Sequence, residues 1–142
     1  LRSRFGMELV PMKSTLRAIL KNRHQVTIAT LLSDQTPTLG ETEFVTSFLG
    51  RTVPVFLGAE KIAKLVKFPV IYLAMRKKKR GFYEVEAIPV AEHPEVLNPF
   101  EITVKHVKIL ENEIRQQPSN WIWSHRRWKH SGKTWSDSVV VG

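Results

Sequence analysis

Cysteine is missing from all 142 residues. That excludes a disulfide framework, a thiolate nucleophile and a zinc–thiolate site, and it fits a reducing compartment without establishing one. Long hydrophobic runs are missing too. None approaches the roughly 20 residues a spanning helix needs, and no charged-then-apolar leader opens the sequence, so the chain as given does not cross a membrane. No G-x-S-x-G, Walker loop, G-x-G-x-x-G or metal-ligand cluster appears, so these residues supply no complete nucleophile–base pair and imply neither metal nor cofactor. Internal repeats and low-complexity segments are also lacking. Acidic residues are scarce: 13 Asp plus Glu face 22 Lys plus Arg, a formal charge of +9. Such an excess steers encounters with polyanions, which here means nucleic acid, anionic lipid or an acidic carrier protein.

A composition that is 42% hydrophobic over this length predicts one domain with its own core. Residues 1–130 are assigned to it, and 131–142 to a tail expected to fray. The chain begins at Leu1 in a basic segment rather than at a methionine, and is expected to be part of something longer. Its organising stretch is Val26–Gly50. Val26–Leu32 is an unbroken, mostly apolar, β-branched run that reads as a strand buried on both faces. Ser33, Asp34 and Gln35 follow where that strand should end, the place where open α/β sheets gather binding groups. Phe44–Phe48 then leads to Gly50, whose missing side chain would let a backbone or ligand approach.

Before this stretch, the residues to Pro11 suggest a short strand, and Ser14 is a good N-cap for a helix to about Asn22. After it, Gly58–Lys67 has helical apolar spacing, and Pro69–Met75 reads as a strand parallel to Val26–Leu32. The all-cationic run Arg76, Lys77, Lys78, Lys79, Arg80 predicts a hairpin tip. Gly81–Val90 alternates as the returning strand. Phe100–Gln116 fits a helix with Val104, Val107, Leu110 and Ile114 inward and Pro118 beyond its end. The predicted class is α/β, an open mixed and mostly parallel sheet flanked by helices.

Asn120–Lys129 alternates Trp121, Trp123 and Trp128 with His125, Arg126, Arg127 and Lys129. Aromatic faces with arginines suit bases, lipid headgroups or phosphates, and a tryptophan-pinned turn closing the core accounts for them equally. The basic run suits an anionic membrane surface, or a solvated turn. His106 and Glu111 have a base–acid spacing, but five residues of helix turn about 500°, which leaves the two side chains some 140° apart and rules them out as a dyad.

The order of features resembles the lipid A biosynthesis (lauroyl/myristoyl) acyltransferases of the glycerolipid acyltransferase superfamily. The resemblance rests on Arg4, Ser33-Asp34-Gln35, Phe48-x-Gly50, the helix at Gly58–Ala63, Phe68-Pro69-Val70 and the closing Trp121-x-Trp123-Ser124-His125-Arg126-Arg127-Trp128-Lys129. It covers nearly all of Arg4 to Lys129 and matches the back half of such an enzyme. It implies acyl transfer from acyl carrier protein to a hydroxyl of a phosphorylated glycolipid, a lipid A precursor, at the cytoplasmic face of the bacterial inner membrane, with this segment peripheral. It assigns no catalytic residue to this chain: the family's His-x4-Asp/Glu motif lies upstream of the Asp-Gln pair, and His24 is followed five residues later by Ala29. By the same resemblance, Arg4, Asp34, Gln35, Gly50, His125, Arg126 and Arg127 are substrate-binding and Arg76–Arg80 membrane-facing.

Three geometric expectations follow. Asp34 and Arg4 should interact in a cleft, Trp121 and Trp123 should anchor the last helix to the sheet, and Arg126 or Arg127 should point toward Asp34. Two other functions remain open: a basic nucleic-acid-binding module, disfavoured because helix-turn-helix, zinc-finger and RNP-like signals are missing, and a non-catalytic lipid-binding remnant.

Overall fold

The computed structural model describes residues 6–38, 42–130, 132 and 139–141, in two units, Leu1–Leu31 and Leu32–Gly142. In the first unit, a 3-10 turn at Met12–Ser14 runs into helix α1, Thr15–Lys21. Ser14 makes no side-chain cap, because it already belongs to that turn. Residues 6–10 do not form the short strand expected near the start. Nor do residues 26–31, with Val26 fully exposed and Ile28 79% exposed. The central strand predicted at Val26–Leu32 is thereby corrected. An apolar β-branched run becomes a buried strand only when neighbours on both sides take up its N–H and C=O groups, and no described strand pairs with it.

The second unit begins its regular structure at β1, Phe44–Phe48, which turns back at Leu49–Gly50 into β2, Arg51–Pro54. Both turn residues have positive φ, 49° and 77°. Such a two-residue turn matches the twist of the flanking strands. A Cβ on Gly50 would meet nothing within 4 Å, so the glycine here serves the turn's dihedral angles, not a close approach. On its other side β1 pairs in parallel with β5, Val139–Val141. Part of the tail expected to fray is therefore a strand.

Helix α2, Gly58–Val66, leads to β3, Val70–Lys79, and β4, Phe82–Ala91, an antiparallel pair forming a separate two-stranded sheet. The mostly parallel sheet expected from the sequence is not what forms. β1–β2 and β3–β4 are antiparallel, and the short β1–β5 contact is the one parallel pairing among the described residues. Without a strand at Val26–Leu32, β3 has no parallel neighbour and pairs with the strand next in sequence, the connection of least loop entropy. The hairpin is also longer than predicted: Arg76–Lys79 lie in β3, and the turn is Arg80–Gly81. Cross-strand ion pairs, Arg76–Glu86 at 2.8 Å and Lys78–Glu84 at 2.6 Å, let the cationic run continue as strand.

Helix α3, Glu101–Gln116, packs Val107, Leu110 and Ile114 against Phe44, Phe48, Val53 and Val55 to make the main core. Ile102 joins a second cluster with Ala63, Val90 and Ala91. The start of α3 has no Ser, Thr, Asp or Asn cap; Phe100 stands there with φ 69°, stacked on Phe44 at 4.7 Å. The cap comes from α2 instead. Glu60, buried to 4% exposure, accepts from Phe100 N at 2.7 Å, Thr103 N at 2.9 Å and Thr103 Oγ1 at 2.7 Å, with Lys64 Nζ 3.2 Å away. A carboxylate thus answers the unpaired N–H groups and positive end of the helix. In the helical spacing of Gly58–Lys67, Glu60 falls outside the apolar positions, so only the contact with α3 explains its burial.

Candidate functional site

The C-terminal segment closes the second unit. Trp121 and Trp128 lie against Phe48, with ring centroids at 6.1 and 5.9 Å, and Trp123 stacks on Trp128 at 6.2 Å. Trp123 Nε1 donates to Pro118 O at 2.7 Å. Trp121 and Trp128 therefore anchor the segment after α3, while Trp123 stays 53% exposed. Two of the three indoles are core packing, so the segment does not present a row of stacking platforms for bases.

That packing sets Arg127 inside the protein, at 1% exposure. Its Nη1 donates to Pro54 O at 2.8 Å and Thr36 Oγ1 at 3.2 Å, and Thr36 Oγ1 donates in return to Arg127 O at 3.0 Å. The guanidinium carbon stands 5.3 Å from the centre of the Phe48 ring. This reciprocal link ties the stretch just after Asp34 to β2 and to the C-terminal segment. Asp34 itself is half-buried.

The charge of Asp34 is felt by three groups from separate elements. Burial pulls the Arg127 guanidinium down to about 10, and Asp34 opposes that shift. Burial likewise lowers His106 of α3, with Asp34 acting to raise it and Arg127 to lower it further. Burial first, then Glu113 and Asp34, push the Tyr72 phenol of β3 up to about 12. Tyr72 and His106 are ring neighbours at 5.6 Å. The site is thus a carboxylate, a buried cation, a neutral imidazole and a neutral phenol. Among the described residues no carboxylate forms an ion pair with Arg127, and its Nε is buried without a hydrogen-bond partner, as are Trp121 Nε1 and His125 Nε2. A buried guanidinium with donor capacity to spare suits an oxyanion.

Other expected residues are placed differently. Arg4, and with it the Asp34–Arg4 interaction, lies outside the described residues. Gln35 and Arg126 are exposed, His125 is half-buried, and Gly50 is in its turn. Arg127, not Arg126, shares the electrostatic neighbourhood of Asp34. Within Arg76–Arg80, Arg76 turns inward to Glu113 of α3, with Nε and Nη2 at 2.8 and 2.6 Å from its oxygens, and that hydrogen bond holds its guanidinium charged above the ordinary range. Only the rest of that run remains outward. His106 and Glu111 diverge as the helical spacing requires: His106 faces Tyr72, whereas Glu111 accepts the Leu49 N–H at the β1–β2 turn. Sequence reasoning dismissed the pair and so missed His106 as a neighbour of Asp34. The signal was present, since Tyr72 and His106 both fall on inward positions of their elements.

A shallow depression of about 370 Å³ lies at the start of α3, lined by Phe100, Val104, Lys105 and Lys108 among others and not by Asp34. Among the described residues no group of three His, Asp or Glu could hold a metal ion, and no helix is long and apolar enough to cross a membrane.

A family model described as bacterial lipid A biosynthesis acyltransferase matches residues 1–130. No curated protein matches the chain.

Proposed function

The chain belongs to the bacterial lipid A biosynthesis acyltransferase family, and from that premise we propose that it forms part of an enzyme moving a fatty acyl chain from acyl carrier protein to a hydroxyl of a phosphorylated glycolipid, at the cytoplasmic face of the inner membrane. The observation that carries this reading is the family match over residues 1–130. The cluster of Asp34, Arg127, His106 and Tyr72 supports it locally. In acyl transfer, negative charge develops on the carbonyl oxygen as the hydroxyl attacks. A preorganised guanidinium in a water-poor site stabilises such charge. Arg127, held by Pro54 O and Thr36 Oγ1, takes that part in the proposal, the charge of Asp34 favouring its charged form, with the hydroxyl's proton accepted by the family's His-x4-Asp/Glu base rather than by Asp34. The excess of cations favours an acidic acyl carrier and a phosphorylated acceptor.

The test uses protein made from the complete coding sequence, including whatever residues it specifies ahead of Leu1. With labelled acyl carrier protein and a lipid A precursor, transfer of label to the glycolipid is the expected result. Asp34→Asn should lower the rate by at least about tenfold, the order of loss when one electrostatic partner in an active site is removed, with the thermal transition unchanged. A folded protein that transfers no acyl group to any phosphorylated glycolipid would end the proposal.

A further inference from the structure

Arg127 is gripped at its main chain as well as at its guanidinium. Its N–H donates to His125 O at 2.7 Å, and its carbonyl accepts from Thr36 Oγ1 at 3.0 Å. The same hydroxyl oxygen accepts from Nη1 at 3.2 Å, and Pro54 O accepts from Nη1 at 2.8 Å. A terminal guanidinium nitrogen carries two N–H groups, so Nη1 is fully spent, and its two acceptors fix the plane of the group. The Phe48 ring lies 5.3 Å from the guanidinium carbon. Nε, by contrast, is buried with no hydrogen-bond partner.

Of the two groups that hold Nη1, Pro54 O belongs to the main chain and Thr36 Oγ1 to a side chain. Thr36 is itself buried, at 8% exposure. Because its hydroxyl hydrogen goes to Arg127 O, a lone pair is left to face Nη1, and one hydroxyl thereby fixes both ends of the same residue. We propose that Thr36 is a positioning residue for acyl transfer: its hydroxyl, together with Pro54 O, commits Nη1 and so keeps the Nε side of the Arg127 guanidinium free and in place for the oxyanion that forms on the acyl carbonyl. This rests on the part given to Arg127 in the proposed function. Without the hydroxyl, Nη1 keeps Pro54 O alone, and the guanidinium can pivot about that single bond. A donor stabilises developing charge fully only when it is already aimed, with no reorganisation left to make. Thr36 stands two residues after Asp34, whose charge favours the charged guanidinium. One short stretch thus supports both the charge of Arg127 and its direction.

The test follows labelled acyl groups from acyl carrier protein to a lipid A precursor, using protein from the complete coding sequence. Thr36→Val keeps the shape of the side chain and removes the hydroxyl. It should lower kcat about tenfold, the order expected when a hydrogen bond to a charged group is lost, with KM for both substrates unchanged. Thr36→Ser retains the hydroxyl and should recover to within about threefold of the parent. Ile102→Val, a truncation in the second core cluster, controls for lost stability and should keep the parent's kcat. Because Thr36 acts through Arg127, Thr36→Val should cost no more than about twofold once Arg127→Lys is present, where a purely structural role would cost the same in both backgrounds. The parent rate in Thr36→Val, equal costs in the two backgrounds, or an equal loss of kcat in Ile102→Val overturns the positioning role. If that role alone fails, Arg127→Lys is still slow. Arg127→Lys at the parent rate removes the oxyanion role as well, and a folded parent that transfers no acyl group removes the proposed reaction itself.

Discussion

Val26–Leu32 and Phe44–Phe48 are both short, apolar and rich in β-branched or aromatic residues, yet one is exposed and unpaired while the other is the buried middle of a sheet. Val26 and Ile28 stand in solvent; Phe44, Val45 and Phe48 are at 0%. The second has a strand on each side, β2 and β5, and a helix against its core-facing side chains. The first has no strand partner among the described residues. What separates them is the availability of partners. Apolar composition makes burial favourable, but backbone pairing decides whether a segment can be buried at all.

Substitutions sharpen the contrast. Phe44→Ala should cost about 3–5 kcal/mol, the range for truncating a fully buried aromatic, and Ile28→Ala within about 0.5 kcal/mol, the range for surface sites. Urea unfolding of the two variants side by side checks this, and equal losses would mean that Val26–Leu32 is buried in solution. Next in size, Glu60→Ala should cost about 2–3 kcal/mol by stripping the start of α3 of a charged acceptor, with no counterpart among the described residues of the first unit. Arg127→Ala combined with Arg126→Ala should destabilise the fold, whereas Arg126→Ala alone should not, because Arg127 bonds Pro54 and Thr36 from the interior. Equal melting of the double and single variants would contradict that placement.

A smaller effect concerns His106. Its folded pKa lies below the ordinary histidine value because of burial. The unfolded chain therefore binds the extra proton first as pH falls. The stability contribution is whole above about 6.5 and is lost as pH drops below that value toward the folded pKa. His106→Gln should flatten this part of the stability profile. At Gly50, Ala should cost about 1 kcal/mol through its positive φ alone, since space for the methyl group is open.

Local patterns carried much of the second unit. The helix over Phe100–Gln116 was legible in its apolar spacing, as were the helix from Gly58 and a hairpin joining Pro69–Met75 to Gly81–Val90. Each depends on contacts a few residues apart or on adjacent strands. The order of motifs from Asp34 to the Trp121–Lys129 segment also led to the family that the comparison shows. Glu60 was not legible, because the charge it answers belongs to a helix 40 residues away. Nor was the part of Arg127. In a cationic segment beside an exposed Arg126, only the packing of Trp121 and Trp128 on Phe48 determines which arginine turns inward.

From the sequence alone came the charge excess, the absence of thiol chemistry, the periodic helices and the family resemblance, all properties of residue type and short-range spacing. Tertiary structure decided the sheet pairing, the inward turn of Arg76 toward Glu113, and the gathering of Asp34, His106, Tyr72 and Arg127. Those depend on partners distant in the chain, and apolar pattern, being the same on any face that finds a neighbour, does not specify which neighbour it will be.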